Sequence, residues 1–255
     1  MTPLIPGYLT PVVLTGSLVM LSLILLGISR AVKQIASSTK ERNRSFWSVS
    51  LVILGWFVVA LVTSELGLYH GASLKTPTIQ YALLTPVALG VILFLRWGLL
   101  RRLIEAIPNE WLVGVQIYRV LGSIFLVLYA AGHIPGFFAL PAGAGDIIVG
   151  LLAPFVAANY VRKSSGAART AGWWNFAGLT DLTVAVTTGF LTSPSQFQLF
   201  AFDKPNHLIS AFPLVMIPAF LVPLSYLLHF ASLYKLRHEA KLEDGPTPAL
   251  ATARS

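Results

Sequence analysis

Arg119, Asp146 and Asp181 are ionisable residues set inside long apolar stretches of the sequence. An ionisable group at the centre of such a stretch costs roughly 2.5 to 3.5 kcal/mol on insertion scales, so it turns to the protein interior, pairs, and marks a candidate site by default. One guanidinium neutralises one carboxylate. The second leaves a charge of −1 for a proton, a cation or further hydrogen bonds to absorb. Two adjacent carboxylates are also what acid–base chemistry uses.

The residues around them repeat at helical spacing. Asn175, Gly178, Asp181, Ala185 and Gly189 share an arc of about 120° on one helix, with Phe176, Leu179, Val186 and Phe190 opposite. Gln116, Arg119, Ser123, Ala130 and His133 fall within about 100° on another. Gly143, Asp146, Gly150, Ala153 and Ala157 give a third such face. Small residues let helices approach closely enough for polar partners to meet. Arg119, Asp146 and Asp181, with Gln116 and Asn175 beside them, therefore form the candidate substrate- or ion-binding set. Gly143-x-x-Asp146 and Gly178-x-x-Asp181 also echo each other. The echo reads either as a trace of inverted symmetry, of the kind transporters use, or as two helices obeying one packing constraint.

His70, His133 and His207, with Glu65 and Asp203 nearby, make a candidate polar site on the outer face. No His-x-x-x-His spacing supports a metal there, and His229 lies too far in depth from His133 for the two to share a haem. No metal and no cofactor are expected. In Ile134 to Asp146, Pro141 marks the expected start of a helix, where the amides of Gly143 and Gly145 would be free to hold an anion or simply to begin the helix well.

The elements that must position these residues follow from composition. The 255 residues are 55% hydrophobic and 11% charged, with a mean hydropathy of +0.73, far from the roughly 25% charge of a soluble domain. Apolar runs predict spans at 8–29, 47–69, 77–95, 111–134, 142–161, 171–192 and 207–234. This is an all-α fold, a polytopic membrane protein with a seven-transmembrane-helix bundle over 1–238 and a disordered cytoplasmic tail over 239–255. The N-terminus lacks the basic segment of a cleaved signal peptide, so the first apolar run is expected to remain as a helix.

Fifteen of the eighteen Lys and Arg residues fall on one side of this arrangement, and only Lys75 and Lys204 on the other. The positive-inside rule makes the first side cytoplasmic, with the N-terminus outside and the C-terminus inside, in the cell (inner) membrane. Trp47, Trp97, Trp111, Trp173 and Trp174 fall at the cytoplasmic ends as an aromatic belt, and Trp56 is deep. Leu99 to Pro108 reads as an interfacial helix or a connecting loop. Pro213, Pro218 and Pro223 must bend the seventh span, which makes a stripe of His207, Ala211, Pro218, Ser225, His229 and Ser232 hard to project.

The partners implied are membrane lipid and a small solute, proton or cation, with the oligomeric state undefined. The scattered basic residues do not form a nucleic-acid surface. The absence of cysteine excludes disulfides and thiolate chemistry. No HExxH, Walker A or GxSxG motif occurs, and no lysine sits mid-span in the last helix to carry a retinal Schiff base. Three function classes remain: a carrier or channel using the carboxylates, an intramembrane enzyme on lipid or isoprenoid substrates using them as acid and base, and a non-catalytic assembly or sensor subunit in which the cluster only fixes the fold.

Overall fold

In the computed structural model, which describes residues 5–69 and 78–243, the apolar runs fold as nine α-helices with no strand among those residues. They are α1 (Leu9–Ile35), α2 (Thr39–Glu65), α3 (Ile79–Arg96), α4 (Gly98–Ala106), α5 (Asn109–Gly114), α6 (Ser123–Ala130), α7 (Gly136–Val161), α8 (Ala167–Thr192) and α9 (Val222–Glu243). Six helical stretches are long and apolar enough to cross a membrane: α1, α2, α3, Asn109–Ala130, α7 and Ile217–Lys241. Their outer surfaces are apolar. Leu51, Val59, Leu84 and Phe155 all stand exposed, the pattern of a multi-pass membrane protein whose solvent on that face is lipid. The helix α8 is as long as α7 but more polar.

Several ends differ from those read off hydropathy, each for a local reason. α2 starts at Thr39, well before its apolar run, because Ser38 and Glu41 form a capping arrangement. The Ser38 hydroxyl accepts from the Glu41 amide at 3.2 Å, and the Glu41 carboxylate accepts from the Ser37 amide at 2.9 Å. α7 starts at Gly136, so Pro141 lies inside it and the amides of Gly143 and Gly145 belong to the helix interior. No free helix start exists there to hold an anion. Of Leu99 to Pro108, the residues up to Ala106 are helical as α4, with Leu103 buried against α1 while Arg101 and Arg102 stay exposed. α9 runs on to Glu243, past the expected boundary at 238.

The prolines shape the approach to α9. Leu208–Ser210 is a 3₁₀ turn, Ile217–Leu221 a π-helical segment, and regular α-helix begins only at Val222. Pro223 has no N–H to offer the Ala219 carbonyl four residues back. The Trp56 indole supplies that donor at 3.2 Å, which explains why this one tryptophan is deep. Phe220, wholly buried, packs against Trp56 and Phe57 with ring centroids 4.9 and 5.0 Å apart, so the main core gathers around the irregular segment.

The stretch between α5 and α6 is a 3₁₀ helix, Val115–Gly122. A 3₁₀ helix turns about 120° per residue and stacks residues i and i+3, so Gln116, Arg119 and Gly122 lie directly in line. All three are buried. Over eight residues the extra turn shifts the phase by about 160° relative to an α-helix, which is why Ala130, projected inward with Arg119, is in fact exposed.

Candidate functional site

Arg119 reaches into the space between the 3₁₀ segment, α7, α8 and α9. Its Nε donates to Asp146 Oδ1 at 2.8 Å, and Nη2 donates to Asp181 Oδ2. Nη1 donates to the Gly178 carbonyl at 3.4 Å and faces His229 Nε2 at 3.3 Å. One guanidinium thus ties three helices to its own segment, the fork geometry that lysine cannot provide. The side chain of Arg119 is 1% exposed, while those of Asp146 and Asp181 keep 16% and 13%.

Three glycines make the approach possible. A Cβ on Gly122 would collide with the Asp146 side chain, one on Gly145 with the Asp181 carboxylate, and one on Gly178 with the His229 imidazole. Gly150 serves the backbone itself, since a Cβ there would come within 2.9 Å of the Val120 nitrogen. These contacts let α7 lie directly on the 3₁₀ segment, and α7 makes its most extensive contacts with that segment and with α8. The small-residue faces therefore act as expected, by admitting polar neighbours.

Asn175, one of the expected residues, holds the imidazole rather than the carboxylates. Its Nδ2 donates to the Ala171 carbonyl at 2.8 Å and to Ser232 Oγ at 2.9 Å, which fixes the amide so that Oδ1 accepts from His229 Nδ1 at 2.8 Å. With Nδ1 carrying the proton, Nε2 offers its lone pair to Arg119. Trp174 closes the other side, its ring centroid 5.0 Å from that of His229 and its indole donating to the Val149 carbonyl at 3.1 Å. This tryptophan is a buried wall of the site, not part of an interfacial belt, because it adjoins Asn175 on the inward arc of α8.

Sequence reasoning did not assign His229 to the site. Its signal is the Ser225, His229, Ser232 spacing on α9, all three buried on one face. Tyr118 adds a further tie, donating to the Leu221 carbonyl at 2.8 Å and sharing a short hydrogen bond with Ser225. Gln116 lies under Arg119, fully buried, with neither amide atom hydrogen-bonded.

Among the described residues, Glu65, His133 and His207 are not gathered into one group. His70 lies outside the described residues, Glu65 and His207 are exposed, and His133 is half-buried in the turn before α7. Among the described residues no group of three or more His, Cys, Asp or Glu could hold a metal. A cavity of about 950 Å³ lies elsewhere, between α1, α2, α3, α4 and α9, lined almost wholly by apolar side chains such as Ile53, Leu89, Leu227 and Leu228. None of Arg119, Asp146, Asp181 or His229 lines it.

A family model described as Domain of unknown function (DUF8737) matches residues 76–237, a stretch that contains the whole cluster and leaves α1 and α2 outside. No curated protein and no solved structure matches the chain.

Proposed function

The chain belongs to the DUF8737 family, which carries no assigned activity, and we propose from the site itself that this is a multi-pass carrier or channel-like protein for a small solute, proton or cation. The observation that carries the proposal is one buried guanidinium shared by two carboxylates. With both carboxylates ionised and His229 neutral in the tautomer set by Asn175, the cluster carries a net charge of −1, and both carboxylates retain some exposure while the guanidinium does not. A buried site with surplus negative charge and partial access is suited to taking up and releasing a positive charge.

This reading has seven crossings, with α8 as the additional one. Tyr160, at the end of α7, hydrogen-bonds Glu239, at the end of α9, so these two ends share a side and the chain between them must go over and back. At about 1.5 Å per residue, 26 residues give α8 a length of about 39 Å, enough to cross. Its outward threonines do not forbid lipid, since Thr180 and Thr183 return their hydroxyls to the Phe176 and Leu179 carbonyls at 3.0 and 2.8 Å. With seven crossings, the charge asymmetry supports the N-terminus outside and the C-terminus in the cytoplasm of a cell membrane. The lipid-enzyme alternative is less well supported, because the apolar groove and the carboxylates lie apart.

The test is flux in proteoliposomes. Asp181→Asn keeps the shape of the side chain and removes the surplus charge, and it is expected to abolish proton- or cation-dependent flux in a protein that still folds. Flux equal to that of the unaltered chain overturns the proposal.

A further inference from the structure

Next to the cluster, the groups packed on its two sides differ in polarity. Toward one end, Gln116, Arg119 and Gly122 share a line on the 3₁₀ segment, and Asn109 extends that line, since the seven residues from Asn109 to Gln116 bring the helix back to within about 20° of the same direction. Gln116 is 0% exposed with neither amide atom hydrogen-bonded, while Asn109, 1% exposed, has only the Tyr160 hydroxyl as a polar side-chain neighbour among the described residues. On the facing surface of α9, Ser232 and Lys235 are buried and Glu239 follows. Lys235 donates to the Glu105 carbonyl at 2.8 Å, and Glu239 accepts from Tyr160. At the rises of the two helix types, Ser232 and Gln116 lie about 5 to 6 Å from the level of the cluster, Lys235 about 9 Å, and Asn109 and Glu239 about 15 to 17 Å. A further cavity of about 320 Å³, lined by Arg30, Gln34 and Glu110 among others, borders the start of α5 at this end.

Toward the other end α6, α7 and α8 present Phe125, Leu128, Phe138, Ala139, Ala142 and Leu182, all buried and apolar, and the next unpartnered buried amide, Asn206, lies beyond them beside the Thr192 carbonyl at the end of α8. Phe125 and Phe138 meet edge to face with centroids 5.0 Å apart.

Buried amides without partners are rare, because each costs its desolvation, and water commonly supplies the missing bonds where a site is polar and roomy enough. We infer that Gln116 and Asn109 line a hydrated column that connects the Arg119 cluster to the membrane face bearing Lys235, while the Phe125–Phe138 contact closes the opposite side. The column admits water and small cations or protons from one face only. The inference rests on the cation or proton reading of the cluster for its purpose, but not for its test.

The chain contains no cysteine, so a single introduced thiol reports without background. Gln116→Cys and, as a control beyond the plug, Leu128→Cys are exposed to a small cationic, membrane-impermeant methanethiosulfonate in vesicles of both orientations. Gln116→Cys is expected to react only from the Lys235 face and Leu128→Cys from neither. Reaction at Gln116→Cys from the opposite face, or from neither face, overturns the column. Gln116→Leu provides a second reading in a thiol-free chain: a dry pocket loses an unpartnered amide and its unfolding midpoint rises, whereas a wetted column loses the bonds to its water and the midpoint falls. A rise overturns the inference. One-sided labelling combined with unchanged flux in Asp181→Asn leaves the column standing and removes only the transport reading.

Discussion

His229 Nδ1 donates to Asn175 Oδ1 at 2.8 Å, and this one bond decides which imidazole nitrogen faces Arg119. Asn175 can accept only because its amide nitrogen is engaged by Ala171 and Ser232.

Replacing Asn175 with Leu leaves the imidazole N–H and the Ser232 hydroxyl buried without that partner, so the variant is expected to lose about 1 to 3 kcal/mol of stability. His229→Phe together with Asn175→Leu removes both sides of the bond, and the pair should cost less than the sum of the single changes. Chemical unfolding in detergent, run as a double-mutant cycle, measures the coupling. An additive cycle would contradict it.

Breaking the ion cluster from its positive side should be far more damaging than removing it whole. Arg119→Met leaves two buried carboxylates facing each other and is expected to destabilise by about 3 to 5 kcal/mol. Adding Asp146→Asn and Asp181→Asn to it should restore much of that loss. The same unfolding assay follows both steps, and no recovery in the triple variant would show that the carboxylates are held by something other than Arg119.

The glycines give a third expectation. Gly145→Ala places a methyl group against the Asp181 carboxylate and Gly122→Ala places one against Asp146, so each should destabilise by about 1 to 3 kcal/mol through overpacking. Gly55, in α2, has open space around its Cβ direction, and alanine there should be neutral or gain about 0.5 to 1 kcal/mol from helix propensity. Equal effects at Gly55 and Gly145 would mean that helix propensity, not the carboxylate contact, governs both.

The meeting of Arg119, Asp146 and Asp181 was legible in the sequence because helical period reports which residues share a face, and small residues at those positions report close approach. The period failed where the backbone left the α-helix. No composition signal marks the 3₁₀ turn at Val115–Gly122, so Ala130 projected to the wrong side. His229 was hidden by the irregular chain before it: with Pro218 in a π segment and Pro223 at the start of α9, a stripe drawn from His207 to Ser232 crosses two changes of pitch. Trp174 looked interfacial because only a contact on another helix, the Val149 carbonyl, draws its indole inward. The early start of α2 was available in Ser38 and Glu41, but hydropathy is blind to a polar first turn.

The 3₁₀ segment also changes how far the chain reaches. At about 2.0 Å of rise per residue, its eight residues cover about 16 Å where an α-helix would cover about 12 Å. The 22 residues from Asn109 to Ala130 therefore extend about as far as an α-helix of 25. The helix that carries Arg119 is a stretched one, and its stretch is concentrated where the guanidinium is attached.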